Sequence, residues 1–336
     1  MIKSTRMNGE TENNQDRILL SIVCKTYNQG NYISQAIESF LNQKTDFEFE
    51  ILIHDDASTD NTCEIIKAFT EKYPGRINAV IEKENQFSKG INNYFVHEFP
   101  RARGKYIALC DGDDYWTDPL KLQKQVDFME ANEICTYVFT NHLISEPVGT
   151  LSPRFNSGNA LPPLTDINHL FKSDIMPATA SVVFRRSILP DPPPAFLTRA
   201  INGDWAILVI AGSKGQIGFL RDITCVYRHN IGITVNTSRI HVLKNGLELN
   251  ENLNRLTRFK FNKHLGRREF HYKNLADHYL QGRQWLKGLF YFHSALFRSF
   301  IENRIADFPK KNWVFTKNMV KLLLKIFSPK RDSARQ

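Results

Sequence analysis

The sequence has no run of apolar residues approaching the roughly 18 that a bilayer-spanning helix needs. The polar stretch Met1 to Asp16 has no apolar segment of the kind a secretory leader carries, so no leader is expected. Five cysteines in 336 residues (Cys24, Cys63, Cys110, Cys135, Cys225) include no CxxC pair. Most sit inside apolar runs, which suits reduced core residues of a cytosolic protein better than disulfides or structural zinc. His54, His97, His142 and His169 show no ligand spacing. No nucleic-acid recognition motif accompanies the net charge of +9, so nucleic acid is not an expected partner. What is present is an ordinary globular composition, 42% hydrophobic and 24% charged.

The charge is unevenly placed. Residues 1–240 carry 24 Lys and Arg against 28 Asp and Glu, whereas residues 241–336 carry 20 against 7. The basicity therefore belongs to the tail, and the body is slightly acidic.

Along that body, apolar runs alternate with helical spacing. Ile18 to Thr26 is nearly continuous and reads as a buried parallel strand. Tyr27 to Asn31 is turn chemistry, after which Ile33, Ala36, Ile37, Phe40 and Leu41 fall at helical intervals. Further strands are expected at 47–53, 76–81, 105–110 and 134–140, with helices after residue 60 and around 122–129. Strands alternating with helices imply right-handed βαβ units, an α/β class and a mostly parallel sheet. The turns at 27–31, 55–60 and 111–114 then meet on one edge, where open α/β sheets bind ligands. Ser145 to Thr165 reads as a long loop, Asn202 to Trp205 opens a helix, and 218–227 reads as one or two short strands. The expected organisation is a loose arm over 1–17, a body over 18–238 and a helical basic region over 239–336.

The sharpest feature is Asp111-Gly112-Asp113-Asp114 directly after the apolar run Ile107 to Cys110. Three carboxylates so close repel one another and are costly to bury without a cation. Hard oxygen ligands suit Mn²⁺ or Mg²⁺, which would in turn hold a substrate's phosphates. The competing reading is a solvated acidic turn before a helix capped by Asp118.

In order along the chain, Val23 to Asn28, Asp55 to Thr62, Gly104 to Asp114, Gly203 to Trp205 and Tyr227 to His229 resemble the motifs of family 2 glycosyltransferases. The likeness spans roughly residues 18–235. It departs from the family pattern at Lys25, where Pro is usual, and at Ala57, where Gly is usual. The resemblance implies a GT-A fold, Rossmann-like with helices flanking the sheet, and inverting transfer from a nucleotide-diphosphate sugar, expected to be a UDP-sugar. It implies that Thr26, Tyr27, Asn28, Asp55, Asp56 and Lys89 face the nucleotide, with Asn92 near Lys89; the competing roles are Asp55 as the holder of its loop and both aspartates as turn formers. Asp111 would touch the ribose or the metal, Asp113 the metal directly, and His229 would be a late metal or phosphate contact. Asp204 falls at the position of the general base; its competing role is a helix cap. Trp205 suits a sugar platform or the core.

Residues 283–300 combine six aromatics with Arg283, Lys287 and Arg298, and Val320 to Phe327 repeats the theme. Such segments suit either an anionic membrane surface, met from the cytoplasmic side, or a helical bundle with its basic face in water. The acceptor implied is a glycan or a lipid-linked saccharide. The alternatives are a nucleotidyltransferase, which would want a Gly-rich basic loop that Val23 to Gly30 does not supply, and a non-catalytic nucleotide-sugar or membrane-binding module.

Overall fold

The apolar run at the start of the body becomes the centre of a sheet. The computed structural model describes residues 18–147, 149–155, 161–173, 175–229, 231, 237–261, 265, 267–281 and 284–302. In it, β1 (Ile18–Thr26), β2 (Glu48–Asp55), β3 (Ile77–Ile81) and β4 (Tyr106–Leu109) form a parallel half-sheet in the order β3-β2-β1-β4. Six further strands complete it: β5 (Tyr115–Trp116), β6 (Cys135–Ser145), β7 (Leu151–Pro153), β8 (Leu164–Thr165), β9 (Val182–Arg185) and β10 (Gln216–Arg228). β9 lies between β4 and β6 and runs antiparallel to both. The sheet expected to be mostly parallel is thus parallel in one half and mixed in the other. The stretch read as a loop, 145–165, supplies β7 and β8, which pair with β6 and β10.

Helices α1 (Ile33–Leu41), α2 (Thr62–Lys72), α3 (Phe99–Arg101), α4 (Lys121–Ala131), α5 (Ile167–Lys172) and α6 (Gly203–Lys214) accompany the sheet. Alternate residues of β1, namely Leu20, Ile22 and Cys24, share a core with Ile33, Ile37 and Phe40 of α1, Ile66 of α2, and Leu122, Val126 and Met129 of α4. That alternation follows from the period of two in a strand. Each such side chain contributes roughly 1.5–3 kcal/mol by leaving water. In α6 every residue from Trp205 to Gly212 is buried, so this helix is covered all round. Trp205 packs its ring 5.4 Å from Phe171, the core role of the two open to it.

The chain divides into two compact units, Met1–Asn236 and Thr237–Gln336. The second contains α7 (Arg239–Leu256), α8 (Arg267–Gln281) and α9 (Trp285–Glu302). Leu243, Leu275 and Tyr279 are buried together there, with Ile240 and Tyr291 against them. Among the described residues no helix is long and apolar enough to cross a membrane. The basic aromatic stretch at 320–327 lies outside the described residues.

Candidate active site

Parallel pairing of β1 with both neighbours brings three loops together. Thr26 pairs with Asp55 across β1 and β2, and the Asp56 N–H donates to the Thr26 carbonyl at 3.0 Å. On the other side, the Gly112 N–H donates to the Lys25 carbonyl at 2.9 Å, which pins the acidic turn beside the end of β1. A Cβ on Gly112 would stand 2.7 Å from Gln29 Oε1 and 2.9 Å from Thr26 Cβ. Glycine is required at this position by that close approach.

These loops line one side of a cleft of about 320 Å³. Thr26, Tyr27, Asn28, Asp56, Asp111, Asp113 and Asp204 all line it, and Asn92, Tyr94 and Tyr227 join them. Asp204 arrives on the first turn of α6 and accepts the Trp205 N–H at 2.8 Å, so it also serves the helix start. Gly203 precedes it because a Cβ there would meet Asn92 Nδ2 at 2.7 Å.

The carboxylates are in different surroundings. Asp113 is 6% exposed, and burial together with Asp111 pushes its pKa up to about 6. Its carboxylate accepts no hydrogen bond from another residue among the described residues. Asp114 accepts the Arg228 N–H at 2.8 Å, yet burial and Asp113 raise its pKa well above the usual range. Burial likewise raises Asp204, which is half-buried. Asp111 takes a 2.6 Å hydrogen bond from the Tyr94 hydroxyl and lies 3.8 Å from the Lys25 ammonium. Burial and then Asp111 raise the Tyr94 pKa, so Tyr94 remains a donor.

Several expected contacts have structural duties. Asp55 is fully buried outside the cleft lining; it accepts the Ser58 N–H at 2.9 Å, the Ser58 hydroxyl at 2.5 Å and the Cys63 thiol at 3.1 Å, closing its own loop. Asp56 accepts the N–H groups of Gln86 (2.7 Å) and Phe87 (3.0 Å), one on each oxygen, and keeps a second lone pair on each. Asn28, at φ 52°, accepts the Thr59 N–H at 2.7 Å and ties the first loop to the second.

Two of the expected contacts lie away from this cleft. Lys89 is outside the cleft lining, on a turn where its ammonium pairs with Glu84. His229 is also outside it, 3.1 Å from Glu146. Strand alternation separates it from its neighbour: Arg228 turns to the acidic side, donating to the Asp113 carbonyl and, at 2.5 Å, to Gln35, with its guanidinium over the rings of Tyr32 and Tyr115. Among the described residues no three His, Cys, Asp or Glu side chains form a group able to hold a metal by themselves. The Asp111–Asp113 pair still fits a divalent cation: hard oxygen donors, one of them buried and unpartnered, beside space for phosphate oxygens.

Tyr94 carries no sequence signal for this place: it follows a polar loop and sits on a single π-helical turn, Tyr94–Glu98. Arg228 was overshadowed by the histidine beside it.

The α/β sheet thus carries an acidic turn at its carboxyl edge, in one cleft with a carboxylate on the first turn of α6. The sequence model described as Glycosyl transferase family 2 matches residues 21–191, half of the chain, and the chain belongs to that family. An uncharacterised protein of Mycobacterium tuberculosis (strain ATCC 25618 / H37Rv) is 35% identical over 216 residues, covering 63% of this chain and 59% of its own length. The UDP-Glc:α-D-GlcNAc-diphosphoundecaprenol β-1,3-glucosyltransferase WfaP of Escherichia coli is 34% identical over 128 residues, 38% of this chain and 47% of that protein. The chain thus spans about half to six-tenths of these relatives. The mannosyltransferase PcManGT from Pyrobaculum calidifontis, solved with GDP-Man and Mn²⁺, superposes with a TM-score of 0.52 at 16% identity over 91% of this chain and 81% of that one. The shared fold is GT-A.

Proposed function

We propose that the cleft binds a nucleotide-diphosphate sugar, most simply a UDP-sugar, and transfers the sugar with inversion to a hydroxyl of a glycan or lipid-linked saccharide. The observation that carries this is the buried, unpartnered Asp113 beside Asp111, in one cleft with Asp204. The name of the E. coli relative, with its UDP-glucose donor and lipid-diphosphate acceptor, supports the substrate class.

Thr26, Tyr27, Asn28 and Asp56 face the nucleoside, and Asp55 holds the loop that presents Asp56. Asp111 and Asp113 would hold Mn²⁺ or Mg²⁺, as the Mn²⁺ of the archaeal neighbour suggests. Bound there, the ion offsets negative charge on the departing diphosphate. Asp204 takes the proton of the acceptor hydroxyl as its oxygen bonds to the anomeric carbon and the bond from that carbon to the diphosphate oxygen breaks. Desolvation strengthens Asp204 as a base for that step.

The helical unit adds a docking reading. Leu286 is 87% exposed and Phe290 65% exposed on α9, next to Lys287 and beside Lys244. Apolar side chains in water among cations suit peripheral contact with an anionic bilayer on its cytoplasmic face.

The test is a panel of UDP-, GDP- and dTDP-sugars with Mn²⁺, read by thermal stabilisation and by nucleotide release. Stabilisation and release with at least one of them is the expected result. A chain that responds to none of them is not this enzyme.

A further inference from the structure

The end of β1 places a cation inside an acidic cleft. The Lys25 ammonium is 3.8 Å from Asp111 Oδ1 and 3.7 Å from the centroid of the Tyr94 ring, while the Tyr94 hydroxyl donates to that same Asp111 oxygen. Asp111 is therefore engaged twice, by a charge and by a hydroxyl. Arg228, the other cation by the acidic turn, is already committed to the Asp113 carbonyl, to Gln35 and to two aromatic rings. Lys25 is held more loosely. Among the described residues Asp111 is its one ion-pair partner within 4.0 Å, and its side chain is 31% exposed. An ammonium has three donors, so most of its capacity remains for a ligand.

We propose that Lys25 is a built-in counter-charge for the donor's diphosphate, parked on Asp111 and Tyr94 and passed to the phosphate oxygens when a divalent cation engages Asp111. This rests on the reading that the cleft takes a nucleotide-diphosphate sugar. It adds a consequence with a definite sign. In the nucleotide-free cleft, Lys25 and the metal ion compete for one carboxylate, because like charges a few ångströms apart repel. Once a diphosphate is present there is anionic charge for both, and the two cations act together. Lys25 also favours a diphosphate over a monophosphate, whose single phosphate lies next to the nucleoside and short of the second anionic group.

Lys25→Met keeps the length of the side chain and removes its charge; Lys25→Gln serves as a second variant should the first fold poorly. Calorimetry on the full chain gives three readouts for each: Mn²⁺ alone, UDP in chelator, and UMP in chelator, with GDP and GMP as the second probe pair. The variant should bind Mn²⁺ alone several-fold more tightly and UDP in chelator about tenfold more weakly, the loss expected for one charge-assisted contact. UMP affinity should change far less. If wild type binds a nucleoside diphosphate and both variants match it in Mn²⁺ and diphosphate affinity, the role of Lys25 is overturned while the functional reading stands. If wild type binds neither UDP nor GDP, with or without Mn²⁺, the functional reading falls first.

Discussion

The two units handle charge in opposite ways. Met1–Asn236 buries it: Glu50, Asp55, Asp56, Glu98, Asp113, Asp114 and Lys121 are all in the interior. Thr237–Gln336 is strongly basic, and it leaves Leu286 and Phe290 in water. Buried charge is costly unless it is paired or has a task. Glu50 is paired, meeting the Ser21 hydroxyl at 2.7 Å and the Arg103 guanidinium at 2.7 Å. Among the described residues the Asp113 carboxylate accepts no hydrogen bond from another residue, which is why it is proposed as a ligand-binding group. Exposed apolar side chains are the mirror case, since they gain only when something covers them. One unit thus carries charge inside, and the other carries basic charge together with Leu286, the most exposed large apolar side chain among the described residues.

The largest effect expected from breaking this contrast is in the chemistry. Asp204→Asn should lower transfer by ~10²–10⁴-fold, the usual worth of a general base, and leave UDP affinity within about twofold. Parallel transfer assays and calorimetry check it, and full activity would leave Asp204 with only its structural place in the first turn of α6.

Next comes Lys121, a fully buried lysine bonded to Gln125 at 2.6 Å and 4.4 Å from the Trp116 ring centroid. Burial lowers its pKa to about 8 from an unfolded value near 10.5. Between those values the unfolded chain binds more protons, so this group adds stability as pH rises through that window. Wild type should gain roughly 3 kcal/mol relative to Lys121→Met between pH 8 and 10.5. Denaturant titrations followed by tryptophan fluorescence measure the difference, and a pH-independent gap would mean that Lys121 titrates normally.

A smaller effect separates the units from each other. Leu286→Ser with Phe290→Ser should weaken sedimentation with phosphatidylglycerol vesicles about tenfold in low salt, with UDP affinity unchanged, because burying apolar side chains in the interface drives part of the docking. Equal sedimentation would assign docking elsewhere or nowhere.

The smallest is local. Ala57 adopts φ 62°, a left-handed conformation that disfavours a Cβ. Ala57→Gly should stabilise by about 0.5 kcal/mol, after the entropy cost of glycine is counted. A fall in the thermal midpoint would show that the loop tolerates alanine without strain.

The half of the fold built from local pattern was legible in the sequence. β1, α1, β2 and β4 are set by apolar runs and helical spacing, and parallel connection then carries the acidic turns to one edge. The position of β9 was not legible, because pairing order depends on contacts between distant segments, such as Ala108 with Val183 and Val138 with Val183. β7 and β8 hid in a stretch whose Pro, Gly and Ser content favours turns. Within the site, Asp56, Asp111, Asp113 and Asp204 were readable as residue types that demand a reason. Tyr94 and Lys25 were not, since their roles come from a through-space meeting at Asp111. Lys89 and His229 lie outside the cleft lining, and charge near a motif says nothing about which way a side chain turns.

The buried acidic turn is proposed to bind a metal and a diphosphate. Calorimetric titration of UDP in the presence of Mn²⁺, on wild type and on folded Asp113→Ala, tests it most directly. The account predicts binding by wild type and loss of the Mn²⁺-dependent part in the variant, with circular dichroism unchanged. Mn²⁺-dependent binding of equal strength in both proteins would contradict it.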